Sequence, residues 1–252
     1  MARFGTVVNR RSVERMTLAD LLRDTEAIRG WDWSRCRTRV GDFGWDYVEV
    51  VRSHLPDGRV LDVGTGGGEV FSEVARPSDV ALDVSLDMLA VARERLPCPL
   101  VVGHNGALPF TDASFGLVVA RHVGVSPYEA VRVLRTGGTL VTQDVGGRIC
   151  QDIFDAFGWG TNGAFWERFF AERGEPFWSV AAMAAAFEEL GCEILRREEA
   201  VVEQEFLDEE SLAYWLVNAP LPEVPDPDRH ADILARLPLK TNWHAELLVV
   251  RR

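Results

Sequence analysis

Between residues 58 and 146, short valine-rich runs alternate with helical patterns, and no other feature restricts the possible folds of this chain as strongly. "GRVLDVG", "DVALDVS", "CPLVVGHNG", "SFGLVVARHV" and "TLVTQDVG" read as strands. "EVFSEVA", "LDMLAVARERL" and "YEAVRVLRTGG" read as helices, the last stopped by its glycines. Strands that are apolar on both faces and linked by helices form a parallel sheet covered on both sides, the doubly wound α/β class. Before this region, "RGWDWSRCRTRVGDFGWDY" interrupts helical patterns, which predicts an N-terminal helical cap over 1–54 and a main domain over 55–252. A glycine- and aromatic-rich passage over 146–180 predicts an insertion on the substrate side. Helices follow at "SVAAMAAAFEELG" and "DEESLAYWLVN", and "HAELLVVRR" is expected to be a last strand, antiparallel to and beside its predecessor.

The same region contains "LDVGTGGGEV", residues 61–70. Glycines directly after a strand let the chain turn sharply and bring bare backbone to a ligand, and ligands of open α/β sheets bind beyond the carboxyl ends of the strands. The spacing discriminates among ligands. A dinucleotide fingerprint requires G-x-G-x-x-G, but counting from Gly64 and Gly66 the third position is Glu69. A phosphate loop requires G-K-[ST], and no lysine is present here. The pattern is Asp62-x-Gly64-x-Gly66-x-Gly68 with an acidic residue at the following helix start, a poor receptor for pyrophosphate. A ligand with a positive centre and no phosphate suits it better. At the tip of the next strand, the Asp83 carboxylate is placed to accept hydrogen bonds from both hydroxyls of a ribose. Val84 and Met88 after it are candidates to flank a purine, or pack in an ordinary helix.

Composition narrows the partners. A formal charge of −12 argues against polyanions, although Arg10, Arg11, Arg15, Arg35, Arg37 and Arg39 leave a local basic patch or a solvated helical face as readings of the N-terminal segment. Cys36, Cys98, Cys150 and Cys192 lie far apart with no C-x-x-C pair, so neither a zinc site nor a disulfide framework is expected, and no metal. No apolar run approaches the roughly 18–20 residues of a bilayer span, and the N-terminus has no apolar signal segment. The expectation is a cytoplasmic protein with no membrane partner.

Four segments in register, "LDVGTGGGE", "LDVSLDML", "NGALPFTDASFGLVV" and "EAVRVLRTGGTLV", resemble the class I S-adenosylmethionine-dependent methyltransferases, in particular the methyltransferase type 11 group. The resemblance covers residues 58–146, and the later "EELGCEIL" and "HAELLVV" are similar to the sixth and seventh strands of that fold. It implies a Rossmann-like, mostly parallel seven-stranded sheet with an antiparallel last strand, and S-adenosylmethionine as cofactor. It further implies that Gly64, Thr65 and Gly66 hold the methionine part, Asp83 the ribose, and Asn105, Gly106 and Ala107 the adenine edge, with Asp62, Val84, Met88 and Arg121 completing the cofactor set. His104 competes with Asn105 for the adenine amine, because many relatives carry an acidic residue there. Gly116 stands where relatives usually carry aspartate, which should loosen that turn without abolishing binding.

Methyl transfer from a sulfonium depends mainly on positioning and desolvation; a base is needed only where the acceptor must lose a proton. His122, just past the fourth of these strands, is the candidate base, or else a histidine fixing the strand end. Gln143 and Asp144 are candidates to orient an acceptor or are structural, and His244 reads as a surface or packing residue. An Asn-Pro-Pro-Tyr segment is absent, which argues against the adenine and glutamine amino-group methyltransferases. The aromatics Trp31, Trp33, Trp45, Tyr47, Trp159, Phe165, Trp166 and Trp178 form core or line a pocket for a planar or apolar acceptor. The leading expectation is therefore methylation of a small-molecule acceptor. Competing readings are an RNA base methyltransferase, a non-catalytic cofactor-binding regulatory protein and, most weakly supported, a dinucleotide oxidoreductase.

Overall fold

The computed structural model describes residues 16–28, 33–172 and 179–252; Arg10, Arg11, Arg15, Trp31 and Trp178 lie outside the described residues. Among the described residues, eight strands form one sheet: β1 (Thr38–Val40), β2 (Val60–Val63), β3 (Val80–Asp83), β4 (Leu100–Val102), β5 (Phe115–Arg121), β6 (Leu134–Val145), β7 (Glu193–Phe206) and β8 (Lys240–Arg251). Their spatial order is β1-β7-β8-β6-β5-β2-β3-β4. β6, β5, β2, β3 and β4 run parallel, whereas β8 pairs antiparallel with both β6 and β7. The expected antiparallel last strand beside its predecessor is present, within the doubly wound class.

Burial explains why the central strands carry no polar face. Every residue of β2 and β3 is buried, because helices cover both sides of the sheet. On one face Leu61, Val63, Leu82, Val118 and Leu140 pack with residues of α4 (Pro127–Val133) and α7 (Val180–Glu189). On the other, Val60, Ala81, Leu117, Val119 and Val141 pack with α2 (Tyr47–Ser53) and with Ala92 of α3 (Leu86–Ala92). A third apolar cluster lies apart from these. It joins Leu18 and Leu22 of α1 (Leu18–Asp24), Ile153 of α5 (Gln151–Phe157) and Leu212, Trp215 and Leu216 of α8 (Glu209–Asn218) around Phe206.

Three local expectations are corrected. The N-terminal segment is not wholly helical: Thr38, Arg39 and Val40 add an eighth, edge strand, pairing with the end of β7, and Arg39 salt-bridges Glu205 across the register at 2.5 Å. "EVFSEVA" forms only a single 3-10 turn, Phe71–Glu73. Gly68 at φ +79° and Pro77 bracket too short a segment for a settled α-helix. The helix of "YEAVRVLRTGG" ends at Val133, before its glycines, because Leu134 turns to extended geometry (ψ 138°) and pairs with Phe115.

A buried carboxylate ties the first two parallel strands together. Asp79, fully buried, accepts from the amide of Val60 at 2.9 Å and from the amide of Arg76 at 2.8 Å. It also receives the Arg76 guanidinium at 2.9 Å and 3.1 Å, and Arg76 donates onward to the carbonyls of Pro56 and Gly58. The position of Gly116 is explained nearby: a Cβ there would stand 2.5 Å from the Arg135 guanidinium and 2.9 Å from Pro56. A side chain at residue 116 would therefore have to displace one of these two.

Candidate active site

The carboxyl ends of β2, β3, β4 and β5 open into a cavity of about 460 Å³, within the usual range for small-molecule sites. The loop after β2 forms its floor. Gly64, Gly66 and Gly68 take φ of +71°, +57° and +79°, in the left-handed region that favours glycine. At Gly64 the backbone also approaches a neighbour closely: an added Cβ would lie 2.5 Å from Val123 Cγ1. Gly64→Ala should therefore combine a left-handed penalty of about 1–2 kcal/mol with overpacking of similar size. The expected result is a Tm lower by roughly 5–10 °C in a thermal melt, partly restored by adding Val123→Ala, which relieves only the contact.

Asp83 holds this loop in shape. One carboxylate oxygen accepts the Gly66 amide at 2.8 Å, and the other accepts the Ser85 amide at 2.9 Å. Asp62, also buried, lies near enough for the two charges to interact; burial, with the Asp83 charge adding, pushes its carboxyl up to about 7. Glu69 is not a free charge at the helix start but pairs with Arg95 at 2.9 Å, and the same guanidinium nitrogen donates to the Gly67 carbonyl at 3.0 Å. Arg95 is thus a loop clamp that the sequence pattern does not single out, since it reads there as the solvated face of a helix.

Of the residues expected to meet the cofactor, Asp62, Gly64, Thr65, Gly66, Asp83, Val84, Met88, His104, Asn105 and Arg121 all line the cavity, whereas Gly106 and Ala107 do not. Asn105 donates its side-chain amide to the Gly124 carbonyl, bracing the far wall, and the His104 ring accepts the Gly106 amide at 3.0 Å. Thr65 lines the cavity, and its hydroxyl acts on the buried Asp62 carboxyl, lowering its pKa against the effect of burial. Tyr47, Val48 and Val51 of α2 add an apolar wall, and the Tyr47 hydroxyl donates to the Ala120 carbonyl at 3.2 Å. Tyr47, one of the aromatics expected to form core or to line a pocket, does both, whereas Val48 and Val51 beside it were not singled out in the sequence.

The candidates for catalysis separate. His122 lines the cavity with φ +56°, and its amide donates to the Gln143 carbonyl at 2.8 Å. Burial, with the Arg121 cation beside it, pushes its ring down to about 3, so it stands neutral. Gln143 is off the cavity wall: its side-chain oxygen accepts from Trp45 Nε1 at 2.8 Å, fixing the aromatic segment before α2 against the sheet. Asp144 is also off the wall, across the sheet from Gln143 by strand alternation; its carboxyl accepts the Val145 amide and is pushed up to about 7 by burial. His244 is a packing residue in the sense that its ring fills the space over Gly146, where a Cβ would meet it at 2.1 Å. Its Nδ1 accepts the Arg148 amide at 3.1 Å, which leaves the ring proton on Nε2, 3.0 Å from Glu199. Glu199, His244 and Glu246 stand close enough to hold a metal ion, but that tautomer offers no lone pair to one.

The aromatic expectations resolve into different surroundings. Trp45 stacks on Phe43 at 5.6 Å, and Phe43 and His122 both approach Trp243, at 6.5 Å and 6.2 Å. Trp159, Phe165 and Trp166 pack instead around Phe154 and Phe157 and within α6 (Asn162–Ala171), away from the cavity wall. Trp33 packs edge-on against Tyr214 at 6.0 Å.

Residues 60–138 match the family described as methyltransferase domain. Among curated proteins, the chain is 33% identical over 119 residues to a demethylmenaquinone methyltransferase of Roseiflexus castenholzii, covering 41% of this chain and 50% of that protein. It is also 33% identical over 129 residues to a ubiquinone/menaquinone biosynthesis C-methyltransferase of Geotalea daltonii, covering 41% and 54% respectively. The chain thus spans about half the length of the curated relatives it matches. Among solved structures, a Bacillus halodurans protein described as a methyltransferase superposes with a TM-score of 0.57 at 23% identity, covering 82% of this chain and 98% of the other. The YcgJ protein of Bacillus subtilis gives 0.54 at 17% identity, covering 82% and 97%. The match begins at β2 and closes just inside β6, so the stretch that is similar to a methyltransferase domain takes in the glycine loop, Asp83 and the Arg121–His122 pair.

Proposed function

We propose that this protein transfers a methyl group from S-adenosylmethionine to a small-molecule acceptor. The observation that carries the reading is the glycine cradle with Asp83 at its centre: a turn made of left-handed glycines, held by a carboxylate that faces the same cavity. When bound, the cofactor supplies an electrophilic methyl on a sulfonium. Asp62, Gly64, Thr65, Gly66 and Asp83 would hold its methionine and ribose parts, and Val84, Met88, His104 and Asn105 its adenine end. The acidic side of the cavity, with Asp62 and Asp83, favours a ligand with a positive centre over one with phosphates.

The acceptor side is supported by two further points. Curated relatives carry names for methylation in quinone biosynthesis, which favours a small-molecule acceptor. The net charge of −12 disfavours RNA. Among the described residues no helix is long and apolar enough to cross a membrane. The wall of Tyr47, Val48 and Val51 then excludes water from the reacting atoms, and His122, held neutral, borders the acceptor without being a strong base.

Calorimetric titration tests the reading. S-adenosylmethionine should bind in the micromolar range and NAD should not. Because Asp62 is half-protonated near pH 7 in the free protein and a nearby cation favours its ionised form, affinity should rise with pH through 6–8 and then level off, with protons released on binding. Asp62→Asn should flatten that profile. Failure of the folded protein to bind S-adenosylmethionine at any of these pH values would end the methyltransferase reading.

A further inference from the structure

Among the described residues, three buried nitrogen atoms without hydrogen-bond partners lie on the two strands that flank β6: Arg121 Nε and His122 Nε2 at the end of β5, and Trp243 Nε1 on β8. Leaving one buried donor unsatisfied costs about 1–3 kcal/mol, and more for a charged group, so three together mark a place where something else completes them. Their arrangement is specific. The Arg121 guanidinium lies over the Tyr47 ring at 5.9 Å and has no carboxylate ion pair among the described residues. Strand alternation would send residue 122 to the opposite face, but the left-handed backbone of His122 (φ +56°) keeps both side chains on the cavity. The Trp243 ring stands 6.2 Å from His122 and borders Phe43, which stacks on Trp45.

The cavity is therefore polarised. Asp62, Asp83 and Glu69 stand at the β2 and β3 ends, and Arg121 stands at the β5 end, on the side of β6 and β8. A donor with a positive centre suits the first wall and leaves the arginine wall to another ligand. Two of the three orphaned nitrogens, in Arg and Trp, are donors only, and their complement is an oxygen acceptor, best a charged one.

We propose that Arg121, flanked by His122 and Trp243, receives an anionic oxygen of the methyl acceptor, of the phenolate, enolate or carboxylate kind. The proposal rests on the methyltransferase reading. The acceptor then enters already ionised, with a lone pair free to form the new bond while the C–S bonding pair stays on sulfur. For attack through that oxygen no proton has to be removed at the site, consistent with a neutral His122 of low basicity.

The test uses the full chain saturated with S-adenosylhomocysteine and the chromophoric probe 4-nitrophenol, whose ionised form absorbs visible light. Titrated across pH, the wild-type protein should bind phenolate at least about tenfold tighter than phenol, shifting the probe's apparent pKa down by about one unit. Arg121→Gln should lose this preference and Arg121→Lys should keep part of it, with the S-adenosylhomocysteine affinity of each variant read alongside by calorimetry. If Arg121→Gln instead weakens S-adenosylhomocysteine by about tenfold or more and the probe's shift survives, the arginine serves the cofactor's own carboxylate and the proposal is overturned. S-adenosylhomocysteine binding without any phenolate preference, including no probe binding, overturns the proposal alone. No S-adenosylhomocysteine binding to folded wild-type protein removes the methyltransferase reading itself.

Discussion

Asp83→Ala should weaken S-adenosylmethionine binding by about 100-fold or more, equivalent to about 2.7 kcal/mol, as read by calorimetry. The magnitude follows from two separate losses. The carboxylate fixes the glycine loop through the Gly66 amide and the helix start through the Ser85 amide, so its removal releases the backbone that forms the cradle. It is also the acceptor proposed for the ribose hydroxyls, and hydrogen bonds to a charged group contribute about 1.5–3 kcal/mol each. Asp83→Asn separates the two losses: one oxygen remains to accept an amide, but the charge and the second acceptor are gone, so its affinity should fall between the others. An Asp83→Ala protein that binds within about threefold of wild type would mean that the loop holds its shape unaided and that the ribose finds another partner.

Asp79→Ala should produce the largest loss of stability, about 3–5 kcal/mol, seen as a Tm lower by roughly 8–15 °C. Asp79 is fully buried and is the shared acceptor for the start of β2 and the turn before β3. Its removal leaves the Val60 amide without a partner inside the sheet and Arg76 without its counter-charge, although the carbonyls of Pro56 and Gly58 still receive that guanidinium. Asp79→Asn, which keeps an acceptor for Val60, should lose about half as much. The melts should be followed by circular dichroism with the cofactor absent, because Asp79 does not line the cavity and bound ligand would mask part of the change. A shift under about 2 °C would show that the backbone pairing of β2 and β3 alone sets their register.

The parallel half of the sheet was legible because burial on both faces writes itself as continuous apolar sequence: "VLDV", "VALD" and "FGLVVAR" could not serve an exposed sheet. The glycine loop was legible for a related reason, since glycines at φ +71° and +57° hold a left-handed backbone that side chains disfavour. What escaped depended on contacts distant in sequence. Thr38–Val40 became a strand only because β7 is 14 residues long and offers a free edge at its end. Gln143 read as an acceptor-orienting residue because its position at a strand tip is visible, whereas its partner Trp45, 98 residues earlier, is not. Asp144 is its sequence neighbour, and alternation alone carries it off to the other face. Val48 and Val51 are indistinguishable in pattern from core, because a helix that covers a sheet and a helix that walls a cavity use the same spacing.

The third apolar cluster has an evolutionary implication. Phe206, Leu212 and Trp215 gather α1, α5 and α8 into a hydrophobic unit separate from the two cores that flank the sheet. Substitutions there are energetically insulated from the glycine cradle, because sites without shared neighbours change stability independently. That unit can therefore vary in sequence while the loop held by Asp83 keeps its shape.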